Sequence, residues 1–172
     1  MSLKSEFLVR DARDDDAAGL IELIGNAYAE YPGCVLDVDR EEPDLRAIAT
    51  SFARKGGGFW VVEQRAPEQR TSSLVGSAGW LPSAAHVGWI DLRKLYVAKA
   101  FRRRGVARAL CGRVEELARA RGAIGISLWS DTRFVEAHQF YRVLGYTQQS
   151  ETRDLHDLSN TTEYRFTKIF GE

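Results

Sequence analysis

The spacing of apolar residues changes several times along the chain, and each change marks an element. Phe7–Arg10 reads as a first strand. Asp14, Asp15 and Asp16 place carboxylates at a helix start, where they complement the dipole. Leu20, Leu23, Ile24 and Ala27 then recur at helical spacing to about Glu30, and Tyr31-Pro32-Gly33 ends that helix. A loop through Asp39 leads to a second helix near Pro43–Lys55. Gly56-Gly57-Gly58 breaks it before a strand at Phe59–Glu63, and the turn Arg65–Ser72 predicts a hairpin into Leu74–Leu81.

The second half is more regular. Trp89–Val97 is a strand, and Val106, Leu110, Val114 and Leu117 form one stripe of a helix that Gly122 stops. Ile124–Trp129 is a short, nearly continuous apolar run and so a buried strand. A helix over Val135–Leu144 takes Asp131 or Thr132 as its cap and Gly145 at C′. Strands near Tyr146–Arg153 and Thr162–Phe170 flank the polar loop Asp154–Thr161. The order is strand, two helices, three strands, helix, strand, helix, two strands: an α/β domain over residues 1–172, with a mixed sheet of about seven strands flanked by about four helices. Residues 1–5 are expected to be flexible.

Between strand and helix, Leu95–Leu110 (LYVAKAFRRRGVARAL) holds the most informative chemistry. A basic turn entering a helix leaves backbone N–H groups free at a terminus where the dipole favours an anion. Gly105 lets the backbone approach a ligand, Ala107 keeps bulk away, and Arg102, Arg103 and Arg104 add charge. The segment reads as a phosphate cradle.

Composition narrows the partners. The 172 residues carry 24 basic and 24 acidic side chains, so no global field draws the chain to nucleic acid or an anionic membrane. The apolar stretches are too short to span a bilayer, and no charged-then-apolar leader precedes the first strand. Cys34 and Cys111 stand at no metal-ligand spacing, and His86, His138 and His156 have no partners for one, so no metal is expected. The simplest location is reduced and cytoplasmic. Arg108, Arg113, Arg119 and Arg121, with Glu115 paired to Arg119 at i,i+4, read as a solvated helix face.

Arg102-Arg103-Arg104-Gly105-Val106-Ala107 matches the Q/R-x-x-G-x-G/A signature of the GCN5-related N-acetyltransferases (GNAT), with Ala in the last small position. The preceding Leu95-Tyr96-Val97, the later Phe140–Tyr146 (FYRVLGY) and the opening Val9-Arg10-Asp11-Ala12 resemble the family in the same order. The resemblance implies a GNAT-like fold and acetyl-CoA as co-substrate. The donor would lie along Leu95, Tyr96 and Val97 and on Arg102, Arg103, Arg104, Gly105, Val106, Ala107 and Arg108. A backbone N–H of Val97 or a neighbour would serve as oxyanion donor.

Tyr141 sits where the family often has a tyrosine acid for the leaving thiolate; its alternative is a core aromatic. Asp91, six residues before Val97, stands where the family often has a glutamate base. An ordinary aspartate, with a pKa of about 3.9, would need burial or a water relay for that role, and an ion pair with Arg93 is its alternative. Phe134 replaces the asparagine many relatives carry three residues before Ala137, so that polar contact to the cofactor is absent.

Tyr28 and Tyr31, with Asp37, Asp39, Glu41 and Glu42 in the loop after the first helix, and His156, Asp157 and Asn160 in the last loop, place aromatic, acidic and polar groups where a cationic amine could bind; their alternative is an ordinary polar surface. The implied acceptor is an amine on a small molecule or peptide. A non-catalytic acyl-CoA-binding module on the same fold is the alternative, nucleic acid and membrane are not expected as partners, and the last strands could pair in a homodimer.

Overall fold

The computed structural model describes residues 6–65 and 73–171, so the tip of the expected hairpin at 66–72 and the expected flexible start at 1–5 lie outside the described residues. Seven strands form one sheet: β1 (Phe7–Asp11), β2 (Gly58–Gln64), β3 (Leu74–Pro82), β4 (Trp89–Val97), β5 (Gly125–Asp131), β6 (Thr147–Asp154) and β7 (Thr162–Ile169). Their spatial order is β1-β2-β3-β4-β5-β7-β6. Among the described residues only β4 and β5 run parallel, joined by the crossover helix α3 (Val106–Ala120). The other α-helices are α1 (Ala17–Ala29), α2 (Ile48–Arg54) and α4 (Val135–Val143). This is the mixed seven-stranded sheet with four helices that the sequence predicts.

The sheet carries a core on each face. Val106, Leu110, Val114 and Ala118 of α3 and Tyr141 of α4 pack on one side against Val62, Leu92, Ile126 and Phe166. Leu20 and Ile24 of α1, with Leu45, Ile48 and Phe52, pack on the other against Phe59 and Val61. Apolar residues therefore line both faces of the central strands, as expected for a sheet covered by helices on both sides.

Several local details differ from the sequence reading. The expected helix over Pro43–Lys55 is a 3₁₀ turn at Pro43–Ala47 followed by the short α2, because Ala47 leaves helical geometry at φ −149°. Asp16 does not simply face the α1 dipole. Its carboxylate accepts from Arg10 at 2.6 and 2.8 Å and from the Arg13 N–H at 2.7 Å. Asp131 does not cap α4: it accepts from the Arg133 N–H and guanidinium, and Phe134 occupies the N-cap without a side-chain bond. Gly145 does take the C′ position, at φ +85°. Glu115 is buried rather than solvated, since Lys168 of β7 reaches across to it at 2.8 Å.

Candidate active site

Two features of β4 create the site. Its parallel pairing with β5 covers only Trp89–Asp91 against Gly125–Ser127, and beyond Asp91 the strands diverge. From Leu92 onward β4 has β3 on one side and an open fork on the other. The β3–β4 register also slips between Ser77 and Gly79, giving β4 one extra residue. Lys94 absorbs the slip at φ +49°, and its carbonyl accepts from the buried Ser77 hydroxyl at 2.9 Å. A bulge of this kind redirects the backbone and side chains that follow it.

A cleft of about 1510 Å³ runs through the fork. One end is lined by Arg102, Arg103 and Gly105–Arg108 at the start of α3, and Tyr141 and Phe140 of α4 flank its middle. The other end opens among Tyr28, Leu36, Arg93, Trp129, Arg153 and Glu163. The residues Leu95, Tyr96, Val97 and Gly105–Arg108, marked from sequence, thus lie along one surface.

Gly105 has φ +87°, and a Cβ there would meet no atom within 4 Å. The left-handed conformation favours glycine, while the empty space at its α-carbon lets a ligand approach the backbone. The first N–H groups of the following helix have no intrahelical acceptors. Val106 is an exception among these residues, since its side chain is buried in the core.

The three arginines have different surroundings. Arg102 grips Glu30 through both terminal nitrogens at 2.8 and 2.5 Å and donates to the Val97 carbonyl at 3.2 Å. Arg104 lies over the Phe101 ring at 5.3 Å and does not line the cleft. Arg103 and Arg108 line it and have no ion pair among the described residues. The sequence cannot separate the three, because Glu30 is distant in the chain.

Tyr141 is 6 % exposed, with its ring against Tyr146 and Phe166 at 5.9 and 5.5 Å, and it also borders the cleft. The ring is part of the core, and the residue also borders the fork. Burial pushes its phenol pKa up, so it stays protonated at neutral pH. Asp91 is not brought to the cleft. It sits at the closed end of the fork, accepting from Ser127 Oγ at 2.6 Å, with Arg93 at 3.8 Å.

Tyr28 meets Tyr96 ring to ring at 6.0 Å, and Phe134 lies 4.6 Å from Tyr31. Phe134 thus contributes an aromatic wall instead of the polar contact of an asparagine. Burial pushes the Tyr28 phenol up to about 12. Of the other acceptor-side candidates, Glu41, Glu42 and Asp157 line the cleft. Asp37 instead closes a turn on the Asp39 and Arg40 N–H groups, and Asp39 pairs with Arg46. His156 and Asn160 are turn residues at φ +54° and +48°.

Sequence reasoning missed Trp129, Arg153 and Glu163. Ser127, Trp129 and Asp131 fall at every second position of β5, with the core residues Ile126 and Leu128 flanking them, and that period of two marks a second face. Burial also pushes up the thiols of Cys34, which lines the cleft, and Cys111, the latter to about 12. His138 is buried between the Ser130 hydroxyl and the Asp131 carbonyl, away from the cleft. No group of metal-ligating side chains occurs among the described residues.

A family model, the acetyltransferase (GNAT) family, matches residues 7–146. The chain belongs to the GNAT family. Its acyl donor is acetyl-CoA, and the family's chemistry is N-acetyl transfer. Similar GNAT structures include an acetyltransferase from Staphylococcus aureus Mu50, with 22 % identity over 93 % of this chain and 98 % of that one, at a TM-score of 0.73. An acetyltransferase from Streptococcus agalactiae 2603 is similar at 20 % identity over 97 % and 100 %, with a TM-score of 0.74. YncA from Salmonella typhimurium, solved with its cofactor acetyl-CoA, is similar at 16 % identity over 98 % and 96 %, with a TM-score of 0.72. No curated protein matches significantly in sequence. No helix among the described residues of this GNAT protein is long and apolar enough to cross a membrane.

Proposed function

We propose that this chain moves an acetyl group from acetyl-CoA directly onto an amine held on the α1–α2 side of the fork. The observation that carries the reading is the continuity of the cleft, from the Gly105 turn past Tyr141 to Tyr28 and Trp129. Donor and acceptor can meet there without a covalent relay. The protonated Cys34 and Cys111 thiols agree with this, since the thiolate is the reactive form of cysteine.

In this reading the N–H groups of Gly105–Arg108 hold the diphosphate of the donor, and Arg103 and Arg108 supply the charge that Arg102 spends on Glu30. When bound, acetyl-CoA supplies an activated thioester carbonyl. The open edge of β4 near Val97 offers backbone donors to the carbonyl oxygen as charge builds on it.

Tyr141 donates its hydroxyl hydrogen to the departing sulfur. A phenol is a weaker acid than a thiol even in water, with a pKa of about 10 against about 8.5, and burial weakens it further. Tyr141 therefore stabilises the departing sulfur through this hydrogen bond, the thiolate takes its proton from water in the open cleft, and the second proton of the attacking nitrogen leaves to water. The acceptor ammonium loses its proton to water along the open cleft. Glu42 and Glu163 line that path but already hold Lys94 and Arg153. Asp91 orients Arg93 from the closed end of the fork.

The test is release of free CoA from acetyl-CoA across a panel of small amines and peptides. Acceptor-dependent release supports transfer; tight acetyl-CoA binding without release for any acceptor favours a binding module.

A further inference from the structure

Resting on the transfer reading, we propose that the acceptor is a small amino carboxylate, an amine with a carboxylate a few bonds away, and that Arg93 holds the carboxylate. The cations lining the acceptor half give the first observation. Lys55 has Asp44 at 2.6 Å, Lys94 has Glu42, Arg133 has Asp131 at 2.6 Å and Arg153 has Glu163 at 2.6 Å. Arg93 is different. Its nearest carboxylate oxygen, on Asp91, is 3.8 Å away, outside hydrogen-bond range.

The Nε of Arg93 is also buried with no hydrogen-bond partner among the described residues. A buried N–H without an acceptor is costly, and a planar guanidinium fork matches a carboxylate in two-point contact. Asp91, held by Ser127, fixes the direction of the guanidinium without satisfying it. The Arg93 side chain is 41 % exposed, so a ligand carboxylate reaches its outer nitrogens and, with a turn of the side chain, the Nε that lacks an acceptor.

Position sets the spacing. Arg93 precedes the Lys94 bulge and lies four residues before Val97, about 13 Å along an extended strand and less across the bulge, a distance that the long Arg93 side chain spans in part. Since the thioester carbonyl is placed against β4 near Val97, amine and carboxylate belong to one compact molecule. The ring of Trp129 and the Tyr28–Tyr96 pair provide apolar surface between these points.

The flanking loops limit size. The Val35 N–H donates to the Ser159 hydroxyl at 2.8 Å, and that hydroxyl donates to the Val35 carbonyl at 3.2 Å. The Leu158 N–H donates to Glu41 at 2.8 Å. The loop after α1 and the loop between β6 and β7 are therefore fastened together beside the acceptor half, whose lining includes Val35 and Ser159. This clasp suits a free small molecule and obstructs an extended polypeptide.

The experiment compares free α-amino acids with their carboxamides and with tripeptides, using acetyl-CoA and the whole protein. Binding of each probe to the CoA-loaded protein is followed in parallel by NMR. The expected carboxylate-to-carboxamide ratio in kcat/KM is about 10- to 100-fold for the wild type, read mainly in KM, as for a charge-assisted pair. In Arg93→Gln that ratio falls toward one, and Arg93→Lys lies between.

Equal use of carboxylates and carboxamides by the wild type, equal losses for both in Arg93→Gln, or tripeptides used as well as free amino acids overturns the proposal. If no amine is acetylated, the transfer reading fails separately. NMR then decides the carboxylate site: binding of carboxylates but not carboxamides upholds it, and any other pattern overturns it.

Discussion

Gly105→Ala separates the cost of a strained backbone from the cost of a blocked ligand site. Residue 105 sits at φ +87°, and an added Cβ meets no atom within 4 Å. The free protein therefore suffers strain without a clash, about 1–2 kcal/mol for an L-residue in the left-handed region. For a chain of this length the melting temperature should fall by about 2–8 °C. Acetyl-CoA meets a different situation, because the new methyl occupies the space through which a phosphate reaches the amides. Loss of one charge-assisted hydrogen bond, about 1.5–3 kcal/mol, corresponds to roughly 10- to 100-fold weaker binding.

Gly112→Ala is the control. It lies inside α3 with equally open space and an ordinary φ, so it should stabilise by about 0.5–1 kcal/mol and leave the affinity unchanged. Thermal melts and calorimetric titration with acetyl-CoA read both effects. A destabilised Gly105→Ala with wild-type affinity would refute the cradle, and one that fails to fold would refute the open space around residue 105.

Two further predictions concern the scaffold. Burial raises the Asp16 carboxyl pKa, but the Arg10 hydrogen bonds and the Arg13 N–H outweigh it and leave the group below its ordinary value. A depressed pKa in the fold means this stabilisation is present above about pH 4 and is lost as pH falls through the folded value. Asp16→Asn should cost about 2–3 kcal/mol at pH 7 and flatten the acid limb of urea-unfolding stability; an unchanged limb would count against the pair. Ser77→Ala, which removes the bond to the Lys94 carbonyl, should destabilise by about 1–2 kcal/mol and raise KM for the acceptor more than for acetyl-CoA, as measured by steady-state kinetics.

The elements were legible where periodicity was strong. The apolar stripe of α3, the alternation along β4 and the apolar run of β5 each follow from side chains that must reach a core, and Gly105 and Gly145 announce their turns by type. The long-range pairings were not legible. Nothing local marks Lys94 as the bulge residue, since the slip is fixed by how β3 meets β4. Arg102, Arg103 and Arg104 are identical in type, and only Glu30 and Phe101, brought close by the fold, distinguish them. Asp91 fitted a base by spacing, yet the fork opens just beyond it and leaves it with Ser127. Phe134 was legible as a missing amide but not as a wall against Tyr31, which needs α1 and α4 in place.

The most direct measurement is acceptor-dependent CoA release by the wild type and Tyr141→Phe, with acetyl-CoA affinity determined for both. Release should require an amine and fall by about 10²-fold in kcat in the variant, at unchanged acetyl-CoA affinity. Release that is equally fast without the phenol would contradict the role given to Tyr141, and a wild type that binds no acetyl-CoA would contradict the account as a whole.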